Sequence, residues 1–174
     1  MKTAATLFAL ALAIALVAHA ADEPQLAEVV DFKKLLPMLP EGPAGWTGDK
    51  AEGETVDNGG TKITTAHRDY KKGDGDNAPT TSISVLDCAA NPEYLASTTG
   101  AWNLTTSTAE GYTKPLTIEG MPGFETFENE GKRGTLWLVV GKRYILSIET
   151  QNQESKELQE WLKRVDVKKL AEVK

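Results

Sequence analysis

Hydrophobic and polar residues alternate most clearly in the second half of the chain. Four short segments rich in β-branched and aromatic residues, separated by glycine-containing turns, cover residues 113–118, 124–129, 135–140 and 143–150. A period of two residues is typical of β-strands, and short turns favour antiparallel neighbours. We therefore predict a four-stranded meander in this half of the protein.

The turn at Gly141-Lys142 sets the predicted register of the last two strands. A two-residue turn with glycine at its first position pairs Val140 with Arg143 and Trp137 with Leu146. In this register both faces are apolar, with Trp137, Val139, Tyr144, Leu146 and Ile148 on one and Leu136, Leu138, Val140 and Ile145 on the other. We therefore expect this hairpin to be central, with a covering layer on each side.

Two further strands are predicted in the first half of the chain. Residues 61–72 and 80–88 are rich in Thr, Ile and Val, and the polar turn at 73–77 between them favours a hairpin. The segment before them, residues 40–60, holds six glycines and is predicted to be a long connection. We expect Trp46 to anchor this connection against the core, because a tryptophan buries a large apolar area.

The clearest helix is predicted over residues 154–165. Leu158, Trp161, Leu162 and Val165 follow the i, i+3, i+4, i+7 spacing of an amphipathic helix, and Asp166 is suited to cap one further turn. The predicted fold class is therefore α+β. It consists of an antiparallel sheet of about six strands packed by two or three helices, including this C-terminal amphipathic helix.

Two other helices are predicted before and between the strands. Residues 26–36 show helical spacing of apolar side chains and end at Pro37. Asn91 and Pro92 are suited to the cap and first position of a second helix. The apolar stripe of that second helix consists of Tyr94, Leu95, Thr98, Ala101 and Trp102.

The first 20 residues have the layout of a cleavable signal peptide. Lys2 precedes an apolar run, and small residues stand at the third and first positions before a cut after Ala20. The apolar run is shorter than the roughly 20 residues that a helix needs to span a bilayer. No cysteine follows the predicted cut, so the usual lipid attachment of a bacterial lipoprotein is not expected. We predict a signal peptide at 1–20, a single globular domain at 21–174, and a periplasmic or secreted location without a stable membrane anchor.

Charge and cysteine content narrow the class of partner. The formal net charge is −6, so we do not expect nucleic acid as a partner, because phosphate contacts need clustered Lys and Arg. The lone cysteine, Cys88, excludes an internal disulfide. Three roles remain open for it: a buried small hydrophobe, a cross-link between two copies, or a reactive thiol.

Catalytic and metal-binding patterns are weak in this sequence. His67, the only histidine after residue 20, lies in a predicted strand without a nucleophile motif and is interpreted as a surface histidine. Asp74 and Asp76 resemble calcium ligands, but Ala78 and Pro79 occupy the fifth and sixth positions of the loop, which favours a solvated turn. We assign no catalytic residue, no metal site and no cofactor.

The tryptophans provide the one candidate binding site. Trp137 and Trp161 lie on faces that we expect to be buried, whereas Trp46 and Trp102 border loops. Aromatic side chains of this kind line pockets between helices and sheets. We therefore predict a ligand or partner groove at Trp46 and Trp102.

A resemblance rests on four short stretches of the C-terminal half. Residues 118–123, 134–136, 140–144 and 165–170 together resemble a family of uncharacterised exported bacterial proteins. The strand-rich core followed by a closing helix is, more loosely, similar to the PsbP/Mog1-like architecture. These stretches consist of turn glycines and core residues, so the resemblance implies a fold and carries over no catalytic residue.

Three functions remain open from the sequence. The leading hypothesis is a non-enzymatic exported domain that binds a partner protein or a small ligand. The second is a hydrolase whose residues, His67 or Cys88 among them, converge only in three dimensions. The third is a carrier of a small hydrophobic ligand, with a closed apolar cavity near Trp102 and Trp137. If helices cover only one face of the sheet, the other would form an interface, such as that of a homodimer.

Overall fold

The computed structural model describes residues 27–59 and 61–174, which form an α+β fold around one antiparallel sheet. The strands are β1 (Thr47–Gly48), β2 (Glu52–Asn58), β3 (Thr61–Lys71), β4 (Thr80–Asp87), β5 (Thr106–Ser107), β6 (Gly111–Ile118), β7 (Met121–Glu128), β8 (Arg133–Val140) and β9 (Tyr144–Gln151). The helices are α1 (Phe32–Leu35), α2 (Pro92–Thr99), α3 (Lys156–Leu162) and α4 (Val167–Glu172), with 3₁₀ turns at Leu36–Met38 and Glu130–Lys132. Within the described residues the sheet has nine strands, against about six predicted.

The strand order is β1-β3-β4-β9-β8-β7-β6-β5, with β2 also paired to β3. All six predicted strands are present, and the meander and the β3–β4 hairpin are confirmed. The β8–β9 hairpin lies at the centre of the order, as predicted. β4 pairs with β9 and thereby joins the two hairpin systems into one sheet.

The long connection predicted over residues 40–60 is wrong, because most of its second half is strand β2. This strand pairs with β3 over its whole length, from Glu52 opposite His67 to Asn58 opposite Thr61. It lies at the edge of the sheet, and its side chains from Glu54 to Asp57 are exposed. An edge strand in water needs no apolar alternation, which is why the sequence pattern gives no sign of it.

The predicted two-residue turn between β8 and β9 is also wrong. The loop has three residues, and Val140 pairs with Tyr144 instead of Arg143. Gly141 and Lys142 both have positive φ angles, of 61° and 56°. Arg143 is the additional residue, and its main-chain oxygen accepts a hydrogen bond from the Cys88 N–H at 3.0 Å.

The shift of one residue changes which side chains share a face. Trp137 lies opposite Ser147 instead of Leu146, and Leu138 lies opposite Leu146. The fully buried face of the hairpin therefore carries Leu136, Leu138, Val140, Tyr144, Leu146 and Ile148. Trp137 and Val139 lie on the opposite face with Ile145 and Ser147.

The core lies between the buried face of the sheet and the helices α1, α3 and α4. The predicted C-terminal amphipathic helix is confirmed as α3, whose Leu158, Trp161 and Leu162 are buried. The cap predicted at Asp166 is also confirmed, because its side chain accepts a hydrogen bond from the Lys169 N–H at 2.9 Å.

The two other predicted helices are shorter than expected. The helix predicted over 26–36 begins only at Phe32, where Asp31 caps it, and residue 26 lies outside the described residues. The residues before Asp31 are not helical, because the Val30 N–H donates to the side chain of Asp87 at 2.8 Å. Helix α2 begins at Pro92 with Asn91 as its cap, as predicted, but it ends at Thr99. The predicted stripe that extends to Trp102 is therefore wrong.

A buried ion pair joins the β8–β9 loop to the end of β4. The carboxylate of Asp87, whose side chain is 0% exposed, accepts hydrogen bonds from Arg143 Nε and Nη2 at 2.8 and 2.7 Å. It also accepts from the main-chain N–H groups of Val30 and Ala89 at 2.8 and 3.0 Å. Arg143 Nη2 donates in addition to the main-chain oxygen of Glu28 at 2.7 Å. One carboxylate thus holds three separate segments together.

The predicted signal peptide, residues 1–20, lies outside the described part of the chain and stays a prediction. None of the helices found at 27–59 or 61–174 combines the length and apolar character needed to cross a membrane.

We expect Asp87→Ala to lower the free energy of unfolding by about 3 kcal/mol, because it leaves the Arg143 guanidinium and two main-chain donors without their acceptor. Urea denaturation followed by circular dichroism measures this change. Glu160→Ala, which removes an exposed ion pair with Lys163, is the control and should leave the midpoint nearly unchanged. Equal midpoints for the two variants would contradict the role assigned to Asp87.

Candidate functional site

The two faces of the sheet are covered very differently. The covered face, defined by Val85, Leu138 and Leu146, packs against α1, α3 and α4. The open face, defined by Ser84, Trp137 and Ser147, is covered by α2 and the segment that follows it, and no other described helix lines its grooves. Helix α2 buries none of its own side chains. The expectation of a covering layer on each side therefore holds fully for one face only.

Three aromatic side chains form a row on the open face. Phe124 and Trp137 are cross-strand partners on β7 and β8, with ring centroids 6.3 Å apart and planes inclined by 28°. Trp102, from the segment after α2, stacks on Phe124 at 6.2 Å with an interplanar angle of 7°. All three rings are half-buried. We call Trp102, Phe124 and Trp137 the aromatic row.

A row of polar side chains runs across the same face, two positions away from Phe124 on β7 and from Trp137 on β8. Its members are successive cross-strand partners, in the order Asp69, Ser82, Glu149, Thr135, Thr126 and Thr113. At the β3 end this polar row lines a groove of about 490 Å³, whose wall also includes Asp49, Lys71 and Arg133. The open face therefore presents aromatic rings next to mixed hydrogen-bond donors and acceptors.

Ser147 lies between the two parts of the open face and lacks a hydrogen-bond partner. The residue is 8% exposed, and its Oγ is the one buried side-chain oxygen or nitrogen within the described residues that finds no partner. Its cross-strand neighbours are Ser84 on β4 and Trp137 on β8. A buried hydroxyl without a partner destabilises the fold, so its presence beside Trp137 marks this position for a role other than packing.

An apolar groove of about 490 Å³ lies on one side of α2, between the helix and the β6–β7 and β8–β9 turns. Leu95 and Ala96 of the helix face Pro122 and Val139 of the sheet across this groove. Tyr94, which is 47% exposed, borders a second and smaller groove on the other side of the helix. Helix α2 thus rests on the open face without closing it.

The structure does not bring Trp46 and Trp102, the two predicted groove residues, together. Trp46 lies on the covered side, where its ring meets Trp161 edge-on at 5.0 Å. The expectation that Trp46 packs against the core is confirmed. Trp102 lies on the open face against Phe124. Both side chains are half-buried, and of the two only Trp102 belongs to the open face.

The two residues considered for catalysis are also far apart. His67 is exposed on the open face, opposite Ser84. Cys88 follows the end of β4, four residues after Ser84, which corresponds to roughly 13 Å along a strand. Cys88 is 3% exposed, as expected for a buried small hydrophobe. Burial, and to a lesser degree the charge of Asp87, raise the pKa of its thiol to about 11. A thiol with this pKa is a poor nucleophile at neutral pH.

Residues 27–59 and 61–174 contain no group of three His, Cys, Asp or Glu side chains placed to hold a metal ion. Asp74 and Asp76 lie in the exposed turn between β3 and β4, as predicted.

The covered face holds a second polar cluster whose role is to fix a helix. The carboxylate of Glu125, which is 2% exposed, accepts hydrogen bonds from Tyr112 Oη at 2.5 Å and from Gln159 Nε2 at 2.6 Å, and pairs with Lys114 Nζ at 3.1 Å. Burial, together with this hydrogen bond to Glu125, raises the pKa of Tyr112 to about 12. The cluster ties α3 to β6 and β7.

Sequence reasoning missed Phe124 and Ser147 as members of the candidate site. In the predicted register Trp137 shares a face with Leu146, so its surroundings appear wholly apolar. The observed register places Ser147 beside it. The available signal was Arg143, since a charged residue at the start of a buried strand is better placed in the loop before it.

We expect Ser147→Ala to raise the free energy of unfolding by about 1 kcal/mol, because it removes a buried hydroxyl that has no partner. Ser84→Ala, which changes the neighbouring half-buried serine of the same cross-strand row, is the matched control and should change stability little. Chemical denaturation of both variants measures the difference. A loss of stability in Ser147→Ala would show that the hydroxyl is satisfied in the folded protein.

We expect the thiol of native Cys88 to react with a disulfide reagent at about pH 8 roughly 100-fold more slowly than in the urea-unfolded chain. Raising the pKa from 9.0 to about 11 lowers the thiolate fraction by that factor, and burial slows the reaction further. Absorbance of the released thiol measures both rates. Equal rates in the native and unfolded states would contradict the burial of Cys88.

The chain matches no protein-family model, no curated protein and no solved structure. The resemblance to exported bacterial proteins and to the PsbP/Mog1-like architecture accordingly stays a prediction.

Proposed function

We propose that the protein is an exported, non-enzymatic binding module whose ligand or partner lies across the open face of the sheet. The observation that carries this proposal is the aromatic row. Trp102, Phe124 and Trp137 stack on a sheet face that three of the four described helices leave uncovered. Half-buried aromatic side chains in a row are typical of recognition surfaces, since they offer a large apolar area at a small cost in conformational entropy.

Two further features support a binding role for this face. The polar row beside the aromatic rings supplies the convergent polar groups that fix the orientation of a bound ligand. Ser147 keeps an unpartnered hydroxyl next to Trp137. Natural proteins tolerate such a local loss of stability mainly where function requires it.

Binding is a better interpretation than hydrolysis because the two residues considered for catalysis, His67 and Cys88, do not come together. His67 and Cys88 are separated along the sheet, and the raised thiol pKa of Cys88 opposes its use as a nucleophile. A hydrolase would have to be built on carboxylates of the open face instead, without either of these residues.

A second candidate function is the transport of a small hydrophobic ligand. The apolar groove beside α2 favours it, because Leu95 and Val139 line a volume within the range of small-molecule sites. In this case the ligand would lie under α2 and not along the aromatic row, so variants of the two places distinguish the two functions.

The proposal is tested by native mass spectrometry of the protein isolated from the exported fraction of its host. We expect the wild-type protein to carry added mass, and Trp102→Ala to lose it. Trp46→Phe is the matched control, because it changes the other loop-bordering tryptophan on the opposite side of the sheet.

The outcomes separate the candidates. Added mass that is lost in Trp102→Ala supports a site at the aromatic row, whereas mass lost only in Leu95→Ser supports the hydrophobic carrier. A mass twice that of one chain, abolished by Trp137→Ala, supports a second copy as the partner. Unliganded single chains in every sample, or added mass that none of these variants changes, would overturn the proposal.

A further inference from the structure

We propose that the open face binds an uncharged glycan chain, which lies across the strands with its sugar rings on the aromatic row. This inference rests on the proposed binding function and names the class of ligand. It draws on three observations: the geometry of the aromatic row, the mixed chemistry of the polar row, and the near balance of charge in the groove at the β3 end of the polar row.

The aromatic row matches the apolar side of a chain of sugar rings. Neighbouring strands lie about 4.8 Å apart, so side chains on adjacent strands present contact surfaces at regular intervals across the sheet. Phe124 and Trp137 occupy adjacent strands, and Trp102 extends the row by a further 6.2 Å. Phe124 is stacked with both Trp102 and Trp137, so the two end rings provide the flat surfaces against which the C–H groups of a pyranose ring can pack.

The polar row matches the edges of the same rings. Each sugar hydroxyl both donates and accepts hydrogen bonds, so it needs neighbours of both kinds. Asp69 and Glu149 provide acceptors, and Lys71 and Arg133 at the groove wall provide donors. The hydroxyl-bearing members of the row, such as Ser82 and Thr135, offer both.

The charges of the groove favour an uncharged ligand over a charged one. Its wall contains three carboxylates, Asp49, Asp69 and Glu149, against two cations, Lys71 and Arg133. The carboxylates would repel a polyanion, and Lys71 and Arg133 would repel a polycation. An uncharged and densely hydroxylated chain can hydrogen-bond to both signs without leaving either charge opposed.

The charge distribution also argues against a second copy of this chain as the occupant. Glu52 and Glu54 lie on the same face as Asp69 and Glu149, in rows that begin at strand β2. Two open faces packed together would bury these carboxylates against a surface that carries the same carboxylates, and like charges at an interface are costly.

The test measures binding of the purified domain to three soluble probes: cellohexaose, maltohexaose and the hexamer of N-acetylglucosamine. Isothermal calorimetry and tryptophan fluorescence report the affinity, and an octalysine peptide and polyglutamate serve as charged comparisons. We expect at least one neutral oligosaccharide to bind with an affinity that changes little between low and high salt, because an uncharged ligand is not screened.

Variants locate the site. Trp102→Ala should weaken oligosaccharide binding by about tenfold or more, since it removes a stacking ring from outside any helix or strand. Trp137→Ala should have a similar effect, and Trp46→Phe should have none. Thermal unfolding of each variant confirms that it is folded, and Glu149→Gln, which keeps its size and most of its hydrogen bonding, gives a milder probe of the polar row.

The results distinguish a failure of the glycan inference from a failure of the proposed binding function. Neutral oligosaccharide binding that is unchanged in both Trp102→Ala and Trp137→Ala would place the glycan elsewhere and overturn the inference. Salt-sensitive binding of octalysine without oligosaccharide binding would identify a basic partner instead. No binding of any oligosaccharide, combined with added mass in the host-derived protein, would reject the glycan class and leave the binding function standing.

Discussion

The ion pair between Arg143 and Asp87 determines which side of the central hairpin becomes the core. Arg143 is the extra residue of the loop between β8 and β9, and both of its contacts to Asp87 are shorter than 3 Å. While the guanidinium holds this carboxylate, Arg143 stays in the loop and Tyr144 opens the strand. The register follows, and with it the separation of an aliphatic face from a face of mixed aromatic and polar residues.

The same contact explains how the segment before the sheet is fixed without a long helix. Asp87 and Arg143 together hold main-chain groups of Val30 and Glu28. A carboxylate with four donors is well compensated for its burial, which an isolated buried charge would not be. The helices α1, α3 and α4 then cover the aliphatic face, and the hydrogen bonds of Glu125 and Tyr112 fix α3 against it.

Local patterns predicted most elements of this fold, and long-range contacts account for the errors. Six strands and the helix at Trp161 follow from periodicity, because their side chains alternate between core and solvent. Strand β2 was missed because both of its sides face water for most of its length. The length of α1 was overestimated because a carboxylate 57 residues away from Val30 takes its N–H.

The candidate site was only partly predictable from the sequence, because its members are brought together by long-range contacts. Trp102 was identified by its position beside a loop, but its partner Phe124 lies on a strand that the sequence places in the core pattern. Ser147 acquires its significance from the register alone. The position of Arg143 in the loop thus decides whether Trp137 is assigned to the core or to the open face.

Different features oppose the pairing of an additional strand at the two edges of the sheet. Strand β2 places Glu52 and Glu54 along one edge, and on the other edge β5 covers only the first part of β6, so that Lys114 and Pro115 lie beyond it. An added strand would meet closely spaced carboxylates at the first edge and a residue without an N–H group at the second. The edges of this sheet therefore resist the strand pairing that begins aggregation, although one of its faces is broad and partly aromatic.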